Sequence, residues 1–134
     1  MKGFTLVELL IVMAIIASLI AAFVPVGINE IKFARATTIA LDLSEISKAA
    51  MSNFYFDHNL HITINSVKSY FSPQMYQNLK KFKISSSLSS SVEHVYIWYD
   101  GNDINASQVK KVFPEVVATQ SNKPMISIKL KKYW

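Results

Sequence analysis

The sequence predicts an α+β chain: a long N-terminal α-helix forming a spine, with a small antiparallel β-sheet packed on its C-terminal half. Three patterns predict it. Residues 9–28 carry no charge and are apolar almost throughout, a run matched to the roughly 20 residues that a helix needs to span a bilayer. Ile39, Leu43, Ile46, Ala50 and Phe54 follow at spacings of four, three, four and four, which is one buried face of a helix. Ile126, Ile128 and Leu130 alternate with Ser127, Lys129 and Lys131, the period of a half-buried strand.

The first half of the helix, within residues 4–27, is apolar on every side and so expects neighbours all round. Ala14, Ser18 and Ala22 recur every four residues beside Ala17 and Ala21, a spacing of small side chains that lets helices approach closely. Pro25 removes a backbone donor and crowds the carbonyl of Ala21, a defect of about 3 kcal/mol in a helix interior, and Gly27 loosens the same turn. A helix break is therefore expected at Pro25 and Gly27. The helix resumes at Ile28 and runs to about Asn53, with Lys32, Arg35, Asp42, Glu45 and Lys48 off the buried face. Fifty helical residues would reach about 75 Å.

Residues 54–134 form the small globular domain. A connection over 54–63 leads to Ser72-Pro73, a capping hydroxyl followed by proline at the first helical position. Met75, Tyr76, Leu79 and Phe82 give that short helix its apolar side. Residues 85–91, six serines around Leu88, read as a flexible loop. Residues 92–99 are rich in β-branched and aromatic side chains and read as a strand, and Asp100-Gly101-Asn102-Asp103 supplies the chemistry of a tight hairpin. A further strand is expected at 109–113 or at 116–119 before the last, alternating one. The sheet then has three or four strands, one face on the spine and the other in water.

Composition narrows the function. A chain of 134 residues with net charge +5 allows one globular domain beside the N-terminal helix. Residues 54–134 hold ten Lys against five acids, a basic balance spread widely enough to serve as a solubilising surface. No cysteine is present, so an extracytoplasmic domain must stand on packing alone.

Glu8 is the informative residue. It sits at the entrance to the uncharged run, where an ionisable side chain costs roughly 3 kcal/mol or more and marks a working site. A secretory signal ending near Ala21-Ala22 requires a more basic start and no acid so early. A plain signal anchor fits the length but leaves Glu8 without a role. Gly3-Phe4-Thr5-Leu6-Val7-Glu8-Leu9-Leu10-Ile11-Val12 closely resembles the N-terminal motif of type IV pilins and pseudopilins, over about the first 25 residues. The resemblance implies a pilin-like fold and a leader of residues 1–3. It further implies a prepilin peptidase that cuts between Gly3 and Phe4 and N-methylates the Phe4 amine. Assembly through Phe4, Thr5 and Glu8 follows, with Glu8 of an incoming subunit meeting the amine of one already in place.

The chemistry agrees. A glycine at the cut admits extended backbone into a cleft, and a new amine with pKa near about 8 is largely cationic at neutral pH. Unit charges about 4 Å apart attract by about 4 kcal/mol at an effective dielectric near 20, before desolvation. The resemblance also implies that the stretch around Pro25, about residues 17–27, melts on entry into the fibre. Partners are then the lipid bilayer, other copies or related subunits in a helical filament, and an inner-membrane assembly platform with its ATPase. The expected location is the inner membrane, with the domain outside the cytosol, and the extracytoplasmic filament. Lys2 inside against Lys32 and Arg35 outside runs counter to the positive-inside tendency; the motif outweighs it.

No catalytic constellation, cofactor or metal site is expected. His58 and His61 lack companions beyond Asp57, and His94 stands alone in a strand. Asp100, Asn102, Asp103 and Asn105 offer oxygens but lack the order and closing bidentate acid of a calcium loop. The chain therefore reads as a filament subunit, a minor pilin or pseudopilin of a type IV pilus, type II secretion or competence machine. Two alternatives stay open: a DNA-capturing competence subunit using Lys80, Lys81, Lys83, Lys129, Lys131 and Lys132, and an anchored domain that never polymerises.

Overall fold

A computed structural model describes residues 3–134; Met1 and Lys2, two of the three residues of the expected leader, lie outside the described residues. The elements run α1 Leu6–Tyr55, α2 Pro73–Asn78, β1 Phe82–Ser89, β2 Val92–Tyr99, α3 Ala106–Val112, β3 Val117–Ala118 and β4 Pro124–Lys131, with single 3-10 turns at Lys68–Tyr70 and Leu79–Lys81. Two compact units contain them, Met1–Ala34 and Arg35–Trp134.

In the first unit every described residue is exposed. Leu6–Tyr55 is the one helix among the described residues long and apolar enough to cross a membrane, and none of its most apolar window is buried. A core helix of a soluble domain would bury that window; this one leaves it uncovered. Pro25 and Gly27 both lie inside α1, which is helical on either side of them.

The second unit holds the core. Ile39, Leu43, Ile46, Ala50 and Phe54 are all buried, the expected stripe, and Ala36, Ala40 and Ala49 widen it. Short alanine side chains keep the helix face low, so strands can pack close against it. The sheet has four antiparallel strands in the order β1-β2-β4-β3. Val95, Ile97 and Tyr99 of β2 and Ile126, Ile128 and Leu130 of β4 face the helix. The α+β architecture is the expected one.

Ser72 caps α2 as expected, its Oγ accepting from the Met75 N–H at 3.3 Å. The serine-rich segment departs from expectation: residues 82–89 are strand β1, paired residue for residue with β2 from Phe82↔Tyr99 to Ser89↔Val92. Serine is tolerated because β1 is an edge strand with mostly exposed side chains, while Phe82 is buried and Ile84 partly so. Ser86 also contributes an acceptor, its Oγ taking the Ile62 N–H at 3.2 Å. The loop contracts to Ser90-Ser91, with Ser90 at φ 56° in the left-handed region that such tight turns require.

The hairpin expected at residues 100–103 does not form, and the strand expected at 109–113 is helix α3. Asn105 and Gln108 build a capping box at its start, Gln108 Oε1 accepting the Asn105 N–H at 3.0 Å. Ala106 and Val109 then bury one face, so the β-branched run 109–113 is overruled by cap and periodicity. The alternative, 116–119, contains β3. Gly101 is needed where the chain leaves β2, since a Cβ there would overlap the Tyr99 ring.

Candidate functional site

The proposed cleavage bond, Gly3–Phe4, lies in exposed, non-helical backbone immediately ahead of α1. Phe4 is 91% exposed and a side chain at Gly3 would meet nothing within 4 Å. Both features suit a bond that another enzyme must bind in extended form. In the uncut chain the Phe4 nitrogen is an amide and carries no charge; cutting turns it into a cation.

Thr5 and Glu8 are joined in a way that sequence reasoning missed. The Thr5 N–H donates to Glu8 Oε2 at 2.8 Å, and the Glu8 N–H donates to Thr5 Oγ1 at 3.2 Å. This is a reciprocal capping box, Thr5 at the N-cap and Glu8 three residues into the helix. Its signal was present as Thr-x-x-Glu ahead of an apolar run. Two otherwise orphaned helix donors are satisfied, and the carboxylate sits where the helix dipole favours negative charge. The nearest partner of Glu8 is thus its own helix start, and the box engages only Oε2.

Farther along, the Ser18 hydroxyl donates to the Ile15 carbonyl at 2.7 Å, so this polar side chain is satisfied within its own helix. Gly27 has no neighbour within 4 Å of a would-be Cβ. Pro25 and Gly27 therefore add no packing of their own in this unit; what they change is backbone.

The residues weighed for metal binding are dispersed. Asp103 bridges two donors: Arg35 Nε donates to its Oδ2 at 3.0 Å, and the Tyr99 hydroxyl donates to its Oδ1 at 2.6 Å. The Tyr99 hydrogen bond, with Arg35 adding to it and partial burial opposing it, holds the Asp103 carboxyl below the usual range. Burial, and then Asp103, push the Tyr99 phenol up, and Asp103 followed by Tyr99 raises the Arg35 guanidinium. Asp100 is ion-paired with Lys123 instead, which lowers its carboxyl, and Asn105 caps α3. His58 packs against Trp134 with the ring centres 4.4 Å apart and the planes tilted by 42°. Among the described residues no group of three or more His, Cys, Asp or Glu is placed to hold a metal ion.

The six lysines considered for nucleic acid divide. Lys83 and Lys129 are cross-strand neighbours of Trp98 and His94, and Lys131 pairs with Val92, on the open side of the sheet. Lys80 and Lys81 instead line a separate groove of about 480 Å³ with Arg35 and Asp42. Lys132 follows β4, its ammonium 5.9 Å from the Trp134 ring centre.

A family model described as the prokaryotic N-terminal methylation motif matches residues 1–24, the type IV pilin and prepilin signature. No curated protein and no solved structure matches the chain.

Proposed function

We propose, from the methylation motif that residues 1–24 carry, that this chain is a structural filament subunit. It is a minor pilin or pseudopilin of a type IV pilus, type II secretion or competence machine. A prepilin peptidase cuts between Gly3 and Phe4 and methylates the Phe4 amine. The subunit then leaves the bilayer, driven by an assembly platform and ATPase, and polymerises through the first half of α1. Its role is that of substrate and building block rather than enzyme.

The observation that carries this reading is the coincidence of the motif with a wholly exposed apolar helix whose first turn holds the acid. Residues 3–34 bury nothing in their own unit, so lipid or neighbouring subunits must cover them. The capping box gives the assembly contact its order of events. Oε2 of Glu8 is held by the Thr5 N–H, which orients the carboxylate and leaves Oε1 for the ammonium of a neighbouring Phe4. Before cutting, no such cation exists, so unprocessed chains lack the complementary charge. Pro25 and Gly27 are the place where α1 opens when the subunit enters the fibre.

Intact mass with N-terminal sequencing of the membrane and fibre forms tests the proposal. The expected product begins at Phe4 and carries one added methyl group. A functioning fibre built from chains that retain Met1-Lys2-Gly3 would overturn it.

A further inference from the structure

The side of the sheet turned away from α1 has an organised surface that the filament reading does not use. On β2, the central strand bonded to both β1 and β4, His94, Tyr96 and Trp98 alternate with the buried Glu93, Val95 and Ile97. They form an aromatic column along the open face. The His94 and Tyr96 rings lie nearly parallel, 17° apart with centres at 6.5 Å. Tyr96 and Trp98 continue into a cleft of about 460 Å³ whose other walls include Met125, Thr119 and Gln120.

Charge on this face is mostly positive. Lys83 stands directly opposite Trp98 on β1, and Lys129 directly opposite His94 on β4. Lys131 is two residues farther along β4, and all three side chains are exposed. None makes a salt bridge among the described residues, where the ion pairs are Arg35–Asp103 and Lys123–Asp100. The carboxylate at the cleft, Asp100, is ion-paired with Lys123 and lies within the field of Lys83. Between the lysines the neighbours are Ser85, Ser87 and Ser127, small and uncharged; Tyr96 is exposed, and His94 and Trp98 are half-buried.

We propose that this face binds single-stranded nucleic acid, with bases stacked on Tyr96 and Trp98 and the backbone phosphates held by Lys83, Lys129 and Lys131. Aromatic platforms flanked by cations suit unpaired strands because every base has a π-face and every linkage a negative charge. A duplex buries its base faces and can offer such a platform only its phosphates. Lysine without aromatics would give charge attraction alone. Here the two are interleaved at neighbouring register positions of three strands, an arrangement that a merely solubilising surface does not need. The inference stands apart from the filament proposal, since a chain that never polymerises presents the same face.

The test uses the full chain in detergent micelles and the anisotropy of a fluorescein-labelled oligothymidine, with a duplex of equal length as comparison. The single strand is expected to bind more tightly than the duplex. Its log Kd should rise with log salt at a slope of about 2 for three phosphate contacts. Tyr96→Ser should weaken binding at least about fivefold, the loss of one stacked base, whereas Tyr96→Phe keeps it. Lys129→Gln, which leaves the aromatic column intact, should lower the salt slope by about 0.7. Thermal melts of each variant confirm that the sheet is retained. Absence of binding at low salt, duplex binding as tight as single-strand binding, or wild-type affinity in both Tyr96→Ser and Lys129→Gln overturns the proposal. So does a tryptophan fluorescence response to neutral oligosaccharides with none to the oligonucleotide.

Discussion

Glu8 has one task in the structure and a second in the proposed fibre. In the single chain it closes the capping box with Thr5 at 2.8 and 3.2 Å; in the proposed fibre it also meets a neighbour's amine. The two tasks separate by substitution. Glu8→Gln keeps a carbonyl oxygen for the Thr5 N–H but removes the charge, so α1 and membrane insertion should survive while entry into fibres falls steeply. Glu8→Ala removes both and should in addition cost about 1 kcal/mol at the helix start. Fractionation of membranes and sheared fibres measures the split. Equal incorporation of the wild-type and Glu8→Gln chains would contradict charge pairing.

At the scale of elements, α1 is one helix with two environments, and Pro25 lies in the part that is exposed throughout. The proline removes the N–H that would bond the Ala21 carbonyl, so this turn is weaker than its neighbours by up to about 3 kcal/mol. Pro25→Ala should strengthen it. Hydrogen exchange on purified fibres should then show higher protection over residues 17–27 than in wild type, and unchanged protection would remove the role assigned to Pro25. The sheet shows the opposite balance, where local sequence yields to context. The four serines within β1, Ser85, Ser86, Ser87 and Ser89, carry little strand propensity, yet β1 forms because β2 supplies a complete ladder beside it. Residues 109–113 favour a strand, yet the Asn105–Gln108 cap starts a helix there.

For the whole molecule, a domain without cysteine depends on the core between α1 and the sheet, and Glu93 is a flaw in it. Its side chain is fully buried, and neither carboxylate oxygen has a hydrogen-bond partner among the described residues. Its cross-strand neighbours are Leu88 and Leu130. An unsatisfied buried polar group costs about 1–3 kcal/mol, so Glu93→Leu should stabilise the domain by that order. For a unit of this size that is a rise in melting temperature of about 4–8 °C per kcal/mol. A lower melting temperature in Glu93→Leu would mean that the carboxylate stabilises the fold through contacts absent from this structure.

The amino-acid order by itself determined the parts governed by local, periodic or one-dimensional chemistry. The uncharged run, the 3.6-residue stripe from Ile39 to Phe54, the alternation in β4 and the cap at Ser72 are each legible because neighbours in sequence settle them. The Thr5–Glu8 box is equally local and legible in its Thr-x-x-Glu spacing. Tertiary structure alone decided the rest: that a serine-rich segment becomes an edge strand, that Asp103 answers Arg35 and Tyr99 while Asp100 answers Lys123, and that His94, Tyr96 and Trp98 share a face with Lys83 and Lys129. Apart from the local Tyr99–Asp103 bond, those outcomes depend on partners many residues away, whose contribution to the free energy exceeds the small propensities that a linear pattern records.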